Sequence, residues 1–116
     1  MNKNKNKNVL ITGTSRGIGN KLAKIYLNNN FNVYGCSRSL KNIQNKNYHH
    51  KTVDIGNFVK LQNWLNTFKK KKIKIDILIL NAATISRNFF LKEYDKSIKG
   101  FIDINYTSNF LIIKNL

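Results

Sequence analysis

The residues with the densest chemistry stand near the start of the chain, in Thr12-Gly13-Thr14-Ser15-Arg16-Gly17-Ile18-Gly19. Gly13 permits a tight turn, Gly17 lets backbone approach a ligand with no Cβ in the way, and Gly19 lets a following helix pack close. A loop of this kind that opens a helix offers unpaired N–H groups and the positive end of a helix dipole. Together these bind phosphate, and a pyrophosphate above all. Ser15, Arg16 and Ile18 complete the loop, Arg16 adding a guanidinium to the backbone donors. Further along stand Ser37-Arg38, Asp54-Ile55, Asn81-Ala82-Ala83 and Asn105, polar or small residues at the ends of apolar runs.

A phosphate loop works only if a strand delivers it and a helix leaves it. Val9-Leu10-Ile11-Thr12 is a short β-branched strand running into the glycines, and the apolar positions Ile18, Leu22, Ile25 and Tyr26 predict one face of a helix ending at Asn28-Asn29-Asn30. Residues 31–36 read as a second strand, and Thr52-Val53 as a brief third ending at Asp54. Between them, 41–47 is polar and weakly periodic, so any helix there is weak. Asn57 offers an N-cap to a helix with the stripe Phe58, Leu61, Leu65 and Phe68, and Trp64 falls off that stripe, on its flank. The run Ile75 to Leu80 has the continuous apolar character of a parallel strand covered on both faces. A loop from Ala82 to Phe90 then precedes a last helix with the stripe Ile98, Phe101, Ile102, Asn105, Asn109 and Ile112. Residues 1–8 form a polar basic tail and 9–116 the N-terminal part of a dinucleotide-binding domain, with no linker or repeat. The alternation predicts an α/β doubly wound parallel sheet, strand order 3-2-1-4, with its ligand crevice at the carboxyl ends of the strands.

The spacing T-G-x-x-x-G-x-G resembles that of the short-chain dehydrogenase/reductase family, in its compact single-domain form. Three more matches follow in the family's order. Asp54-Ile55 resembles the pair whose carboxylate meets the adenine amino group. The segment from Asp76 through Asn81-Ala82-Ala83 is similar to the family's D-x-L-V-N-N-A-G, with Leu80 for its first asparagine and Ala83 for its glycine. Asn105 falls where the family keeps an asparagine that supports the catalytic lysine through water; its own place on an apolar stripe also fits an amide satisfied by local backbone. The resemblance implies a Rossmann fold and hydride transfer between a nicotinamide cofactor and a small-molecule carbonyl or alcohol substrate. It implies, too, a homo-oligomeric full-length protein and a catalytic Ser, Tyr and Lys, the last two spaced Y-x-x-x-K. Tyr26, Tyr34, Tyr48, Tyr94 and Tyr106 are followed at that distance by Asn30, Arg38, Thr52, Ile98 and Phe110. The chain also ends inside an apolar run, so it is expected to be a truncated product or a fragment that does not catalyse alone. A non-catalytic nucleotide-binding remnant or regulatory protein is the alternative.

NAD enzymes place an acid about 20 residues past the glycines, on the ribose 2′-hydroxyl. Here Ser37 is followed by Arg38. A carboxylate would repel a 2′-phosphate, whereas a guanidinium binds it bidentately, and Arg16 can reach it from the other side. The expected cofactor is therefore NADP(H), unless both arginines are solvated surface residues. The formal net charge of +16 attracts nucleic acid and anionic membranes in any case. The lysines, however, accompany abundant asparagine and no proline, as A/T-rich codons produce, and no aromatics interleave with them as a stacking platform. Lys3 to Lys7 read as a frayed tail and Lys69 to Lys72 as a solvated helix end. No specific nucleic acid and no membrane partner are expected, and a basic nucleic-acid-binding domain is the least favoured reading. His49-His50 reads as a solvated strand edge rather than a metal pair, so no metal site is expected. The single cysteine, Cys36, reads as a small buried residue at a strand end and fits a reducing cytoplasm.

Overall fold

A computed structural model describes residues 3–84 and 94–116; most of the loop expected from Ala82 to Phe90 lies outside them. The elements are β1 (Asn8–Thr12), α1 (Gly17–Asn28), β2 (Asn32–Ser37), β3 (Tyr48–Thr52), α2 (Phe58–Lys70) and β4 (Ile77–Ile79). They are followed by α3 (Tyr94–Ile102), a π-helical turn (Asp103–Thr107) and α4 (Ser108–Asn115). The strands are parallel in the order β3-β2-β1-β4, which is the expected 3-2-1-4 arrangement. With β1 inside, Val9, Leu10 and Ile11 are wholly buried. Their alternation feeds two layers: Leu10 joins Leu61, Trp64, Leu65, Phe68 and Ile112 under α2 and α4, while Val9 and Ile11 join Ala23, Leu27, Phe31 and Tyr48 under α1.

α1 buries a different face from the one its large residues suggest. Ile18 and Ile25 are exposed, and Gly19, Ala23 and Leu27, spaced by fours, face the sheet. The helix starts so close to the strand ends that only small residues fit at its first contacts. A Cβ on Gly19 would overlap the Gly13 carbonyl oxygen. Leu22 and Tyr26 pack beside that row, half-buried.

α2 matches its pattern more closely. The Asn57 side chain accepts from Lys60 N–H at 3.2 Å, satisfying one of the helix's orphan donors. Trp64, expected on the flank, is instead buried and meets Phe68 edge-on, with ring centroids 5.4 Å apart. Lys69 and Lys70 form the last turn, where positive charge suits the dipole. The third strand is Tyr48–Thr52, earlier than Thr52-Val53: its polar sequence hid its pairing to β2, which runs from Val33↔Tyr48 to Ser37↔Thr52. The polar connection before it carries no helix, and Ile43 from that stretch is buried in the α1-side core. Asn8, assigned to the tail, is the first residue of β1. It donates to the Asp76 carboxylate at 2.8 Å through its N–H and to the Lys74 carbonyl at 2.7 Å through its side chain.

Because Trp64 closes the core over Leu10, Trp64→Ala should destabilise the protein by about 3–5 kcal/mol, the usual cost of a large core truncation. Val59, on the same helix but exposed, should tolerate alanine within about 0.5 kcal/mol. Denaturant midpoints of the two variants check the difference.

Candidate functional site

The carboxyl ends of β1, β2 and β4 are tied to one another by side chains and backbone. At the end of β1, the Thr12 hydroxyl accepts from the Asn81 and Ala82 N–H groups, each at 3.0 Å. The Asn81 side chain returns a bond to the Gly13 carbonyl at 3.1 Å. Gly13 and Thr14 donate their N–H groups to the Cys36 carbonyl at 2.9 and 3.2 Å. Gly13 has φ +78 and Gly17 φ +62, a left-handed backbone that glycine adopts without strain. Outside the loop, Asn20 donates to the Thr14 carbonyl at 3.1 Å and Asn42 to the Ser15 carbonyl at 2.6 Å.

The second wall comes from β2 and β3. Cys36 is fully buried, and burial pushes its thiol up to about 12, with a Gly13 backbone hydrogen bond pulling the other way. It is a small apolar residue there, not a nucleophile. Ser37 ends β2 and Arg38 follows, exposed. After β3, Val53 N–H donates to the Ser37 carbonyl at 2.8 Å. The Asp54 carboxylate accepts from Gly56 N–H at 2.9 Å, which fixes the turn before α2.

The third wall is the segment after β4, held from α3's side. The π-helical turn sets Asn105 against Thr84: its Oδ1 accepts from Thr84 N–H at 2.8 Å and its Nδ2 donates to the Thr84 carbonyl at 2.9 Å. The Asn105 amide is thus satisfied by backbone far away in sequence rather than by its own helix. Such turns recur where a helix must redirect one side chain.

These walls enclose a cleft of about 220 Å³ lined by Gly13, Ser15, Arg16, Cys36, Ser37, Arg38, Val53, Asp54, Ile55, Asn81, Ala82, Ala83, Thr84 and Ile104. Of the positions singled out in the sequence, Gly13, Ser15, Arg16, Ser37, Arg38, Asp54, Ile55, Asn81, Ala82 and Ala83 meet there. Gly17, Ile18 and Gly19 begin α1 outside the lining: Gly19 serves the packing against Gly13, and the Ile18 side chain is solvent-exposed. Asn105 stands one residue behind the wall, through Thr84. Cys36, Val53, Thr84 and Ile104 were not singled out as lining residues. The first two end or follow strands and were legible as such, whereas Thr84 and Ile104 carry no local signal. Among the described residues there is no group of three or more His, Cys, Asp or Glu placed to hold a metal, and no helix long and apolar enough to cross a membrane.

A family model described as short chain dehydrogenase matches residues 7–116. The chain is 32% identical over 112 residues to the 3-oxoacyl-acyl-carrier-protein reductase FabG of Rickettsia felis, covering 91% of this chain and 45% of that protein. It is 31% identical over 108 residues to the NADPH-dependent pterin aldehyde reductase of Arabidopsis thaliana, covering 86% and 44%. Among solved structures, 4-hydroxyisoleucine dehydrogenase complexed with NADH superposes with a TM-score of 0.81 at 25% identity, over 93% of this chain and 47% of that one. The chain therefore spans about half the length of the curated relatives it matches.

The Thr12 hydroxyl accepts from two half-buried backbone N–H groups, and this makes it a sensitive position. Thr12→Val keeps the shape and orphans both donors, at about 1–3 kcal/mol for each group left unsatisfied. Thr12→Ser should restore most of the loss. Thermal melts of the pair give the comparison, and equal melting of the valine variant and the parent would contradict it.

Proposed function

The chain belongs to the short chain dehydrogenase family, and on that premise we propose that it binds NADP(H) across the carboxyl ends of its strands. The protein's activity, on this reading, is hydride transfer between that cofactor and a small carbonyl or alcohol substrate. The observation that carries the cofactor choice is that Arg16 and Arg38 line one cleft, together with Ser15 and Ser37. Among the described residues neither arginine is held in an ion pair, and both are exposed.

The residues around the cleft support this reading. Gly13 and Thr14 spend their N–H groups on Cys36, so the phosphate donors come from Ser15 onward, where the chain enters α1 and the dipole is positive. A Cβ on Gly17 would meet nothing within 4 Å, which leaves room for a pyrophosphate beside its backbone. Asp54 and Ile55 flank the adenine position, and Asn81, Ala82 and Ala83 the ribose beside the nicotinamide. Bound there, the cofactor supplies or accepts hydride. The chain's residues bind and orient it, and Asn105 fixes the Thr84 backbone beneath the reacting end. No tyrosine here is followed four residues on by lysine, so the family's proton donor is not supplied by these residues.

A second reading, NAD(H), is favoured by the NADH in the similar 4-hydroxyisoleucine dehydrogenase structure. The NADPH-dependent pterin aldehyde reductase favours the first. Titration calorimetry decides between them. NADPH should bind more tightly than NADH, and Arg38→Asp should abolish or reverse the preference, since a charge-assisted bond contributes roughly 1.5–3 kcal/mol. Equal affinities in the parent protein would refute the assignment. Nucleic-acid binding should by contrast be weak, indifferent to sequence and lost at moderate salt, as unspecialised lysines dictate. Competition between one duplex and random DNA at physiological ionic strength measures this, and retained selective binding would contradict it.

A further inference from the structure

A chain of hydrogen bonds crosses the sheet from the phosphate loop to the turn that carries Arg38. Its first link is Thr14 Oγ1 to the Tyr48 hydroxyl, 2.7 Å apart and buried. The second is the Tyr48 hydroxyl to His50 Nδ1 at 2.8 Å, and the third His50 Nε2 to the Ser39 carbonyl at 2.9 Å. The Ser39 carbonyl also accepts from Ser37 Oγ at 3.0 Å and Thr52 Oγ1 at 3.2 Å. Arg38 is thereby flanked by Ser37, fixed in β2, and by Ser39, fixed through its carbonyl to β3.

The direction of the chain follows from its end. A carbonyl only accepts, so Nε2 carries a proton; in the neutral ring Nδ1 then accepts from Tyr48 O–H, and Tyr48 accepts from Thr14 O–H, whose other acceptor, the Cys36 carbonyl, lies farther off at 3.5 Å. Each link is satisfied in one sense, with no donor facing a donor. The path also requires a glycine. Tyr48 lies on β3 and Thr14 follows β1, so the hydroxyl must pass over β2 at Gly35. A Cβ there would stand 2.5 Å from the Tyr48 oxygen and 2.7 Å from Thr14 Oγ1.

We propose that Tyr48 and His50 are positioning residues that lock the Ser37–Arg38–Ser39 turn to the phosphate loop, and so set discrimination for a cofactor bearing a 2′-phosphate. The inference rests on the NADP(H) reading and adds to it. Two arginines on separate loops grip one phosphate well only if the loops hold a fixed separation, because ordering them during binding would subtract from affinity. Neither Tyr48 nor His50 needs to touch the ligand. They supply the rigidity that lets Arg16 and Arg38 act as a pair.

The test compares adenosine 2′,5′-bisphosphate with adenosine 5′-monophosphate, which differ by the 2′-phosphate alone, in binding titrations of the parent protein, Tyr48→Phe, His50→Leu and His50→Gln. The phenylalanine and leucine variants should lose roughly tenfold in affinity for the bisphosphate, the scale of ordering a side chain and its turn, and change little for the monophosphate. Glutamine carries both an acceptor and a donor and should restore most of the preference. Since His50 is only half-buried, its variants carry the result if Tyr48→Phe melts early. A parent without preference for the bisphosphate would overturn the cofactor reading and this inference with it. A parent with the preference, and variants that keep it or weaken both ligands alike, would overturn the relay alone.

Discussion

The end of β1 is the constraint on which the rest of the site depends. Parallel strands deliver their carboxyl ends to one edge of the sheet, but they do not by themselves bring three loops within reach of one ligand. That is done by the Thr12 hydroxyl, which takes two N–H groups from the segment after β4, and by the Cys36 carbonyl, which takes two from the segment after β1. β1 is thereby stitched to its neighbour on each side just past the last ladder bonds. Gly13 must then turn with positive φ under Ala82, and α1 must begin so close that its third residue can only be glycine. Remove the side-chain acceptor at 12, and among the described residues no other acceptor bonds the two donors at 81 and 82.

This also explains which parts of the molecule could be read from sequence. Sheet order, the glycine loop and the Asn57 cap each rest on local signals: apolar runs of strand length, glycines at fixed intervals, an asparagine before an apolar stripe. The face of α1 failed because periodicity weighs large apolar residues, whereas the contact with the sheet selects small ones. Ile18 and Ile25, on the face that periodicity predicts, are exposed, while Gly19 and Ala23 carry the contact. β3 was placed late because Tyr48-His49-His50-Lys51-Thr52 is too polar to look like a strand; its order comes from pairing with β2 and from Tyr48 burying its ring under Gly35. Trp64 was placed on a flank because four positions defined a narrow stripe, and the core it faces is wider than that stripe.

The site divides along the same line. The lining residues at strand ends were legible because the motif spacing ties them to turns. The residues that hold those turns were not. Asn20 and Asn42 pin the Thr14 and Ser15 carbonyls, yet in a sequence so rich in asparagine neither is conspicuous. Their effect is electrostatic as well as mechanical. By engaging loop carbonyls, which would repel an anion, they leave the N–H groups as the polar face turned toward a phosphate.

Asn105 shows how far such support extends. A regular helix would place its amide among the half-buried side chains of α3 and α4. The π-helical turn changes the phase there, marked by the Ser108 N–H bonding the Asp103 carbonyl, and the amide meets both polar groups of the Thr84 backbone. That pairing fixes the segment after β4 from a second direction, the first being Thr12. Thr12 holds Asn81 and Ala82 and Asn105 holds Thr84, so the one residue between them, Ala83, lines the cleft from a backbone anchored on both sides.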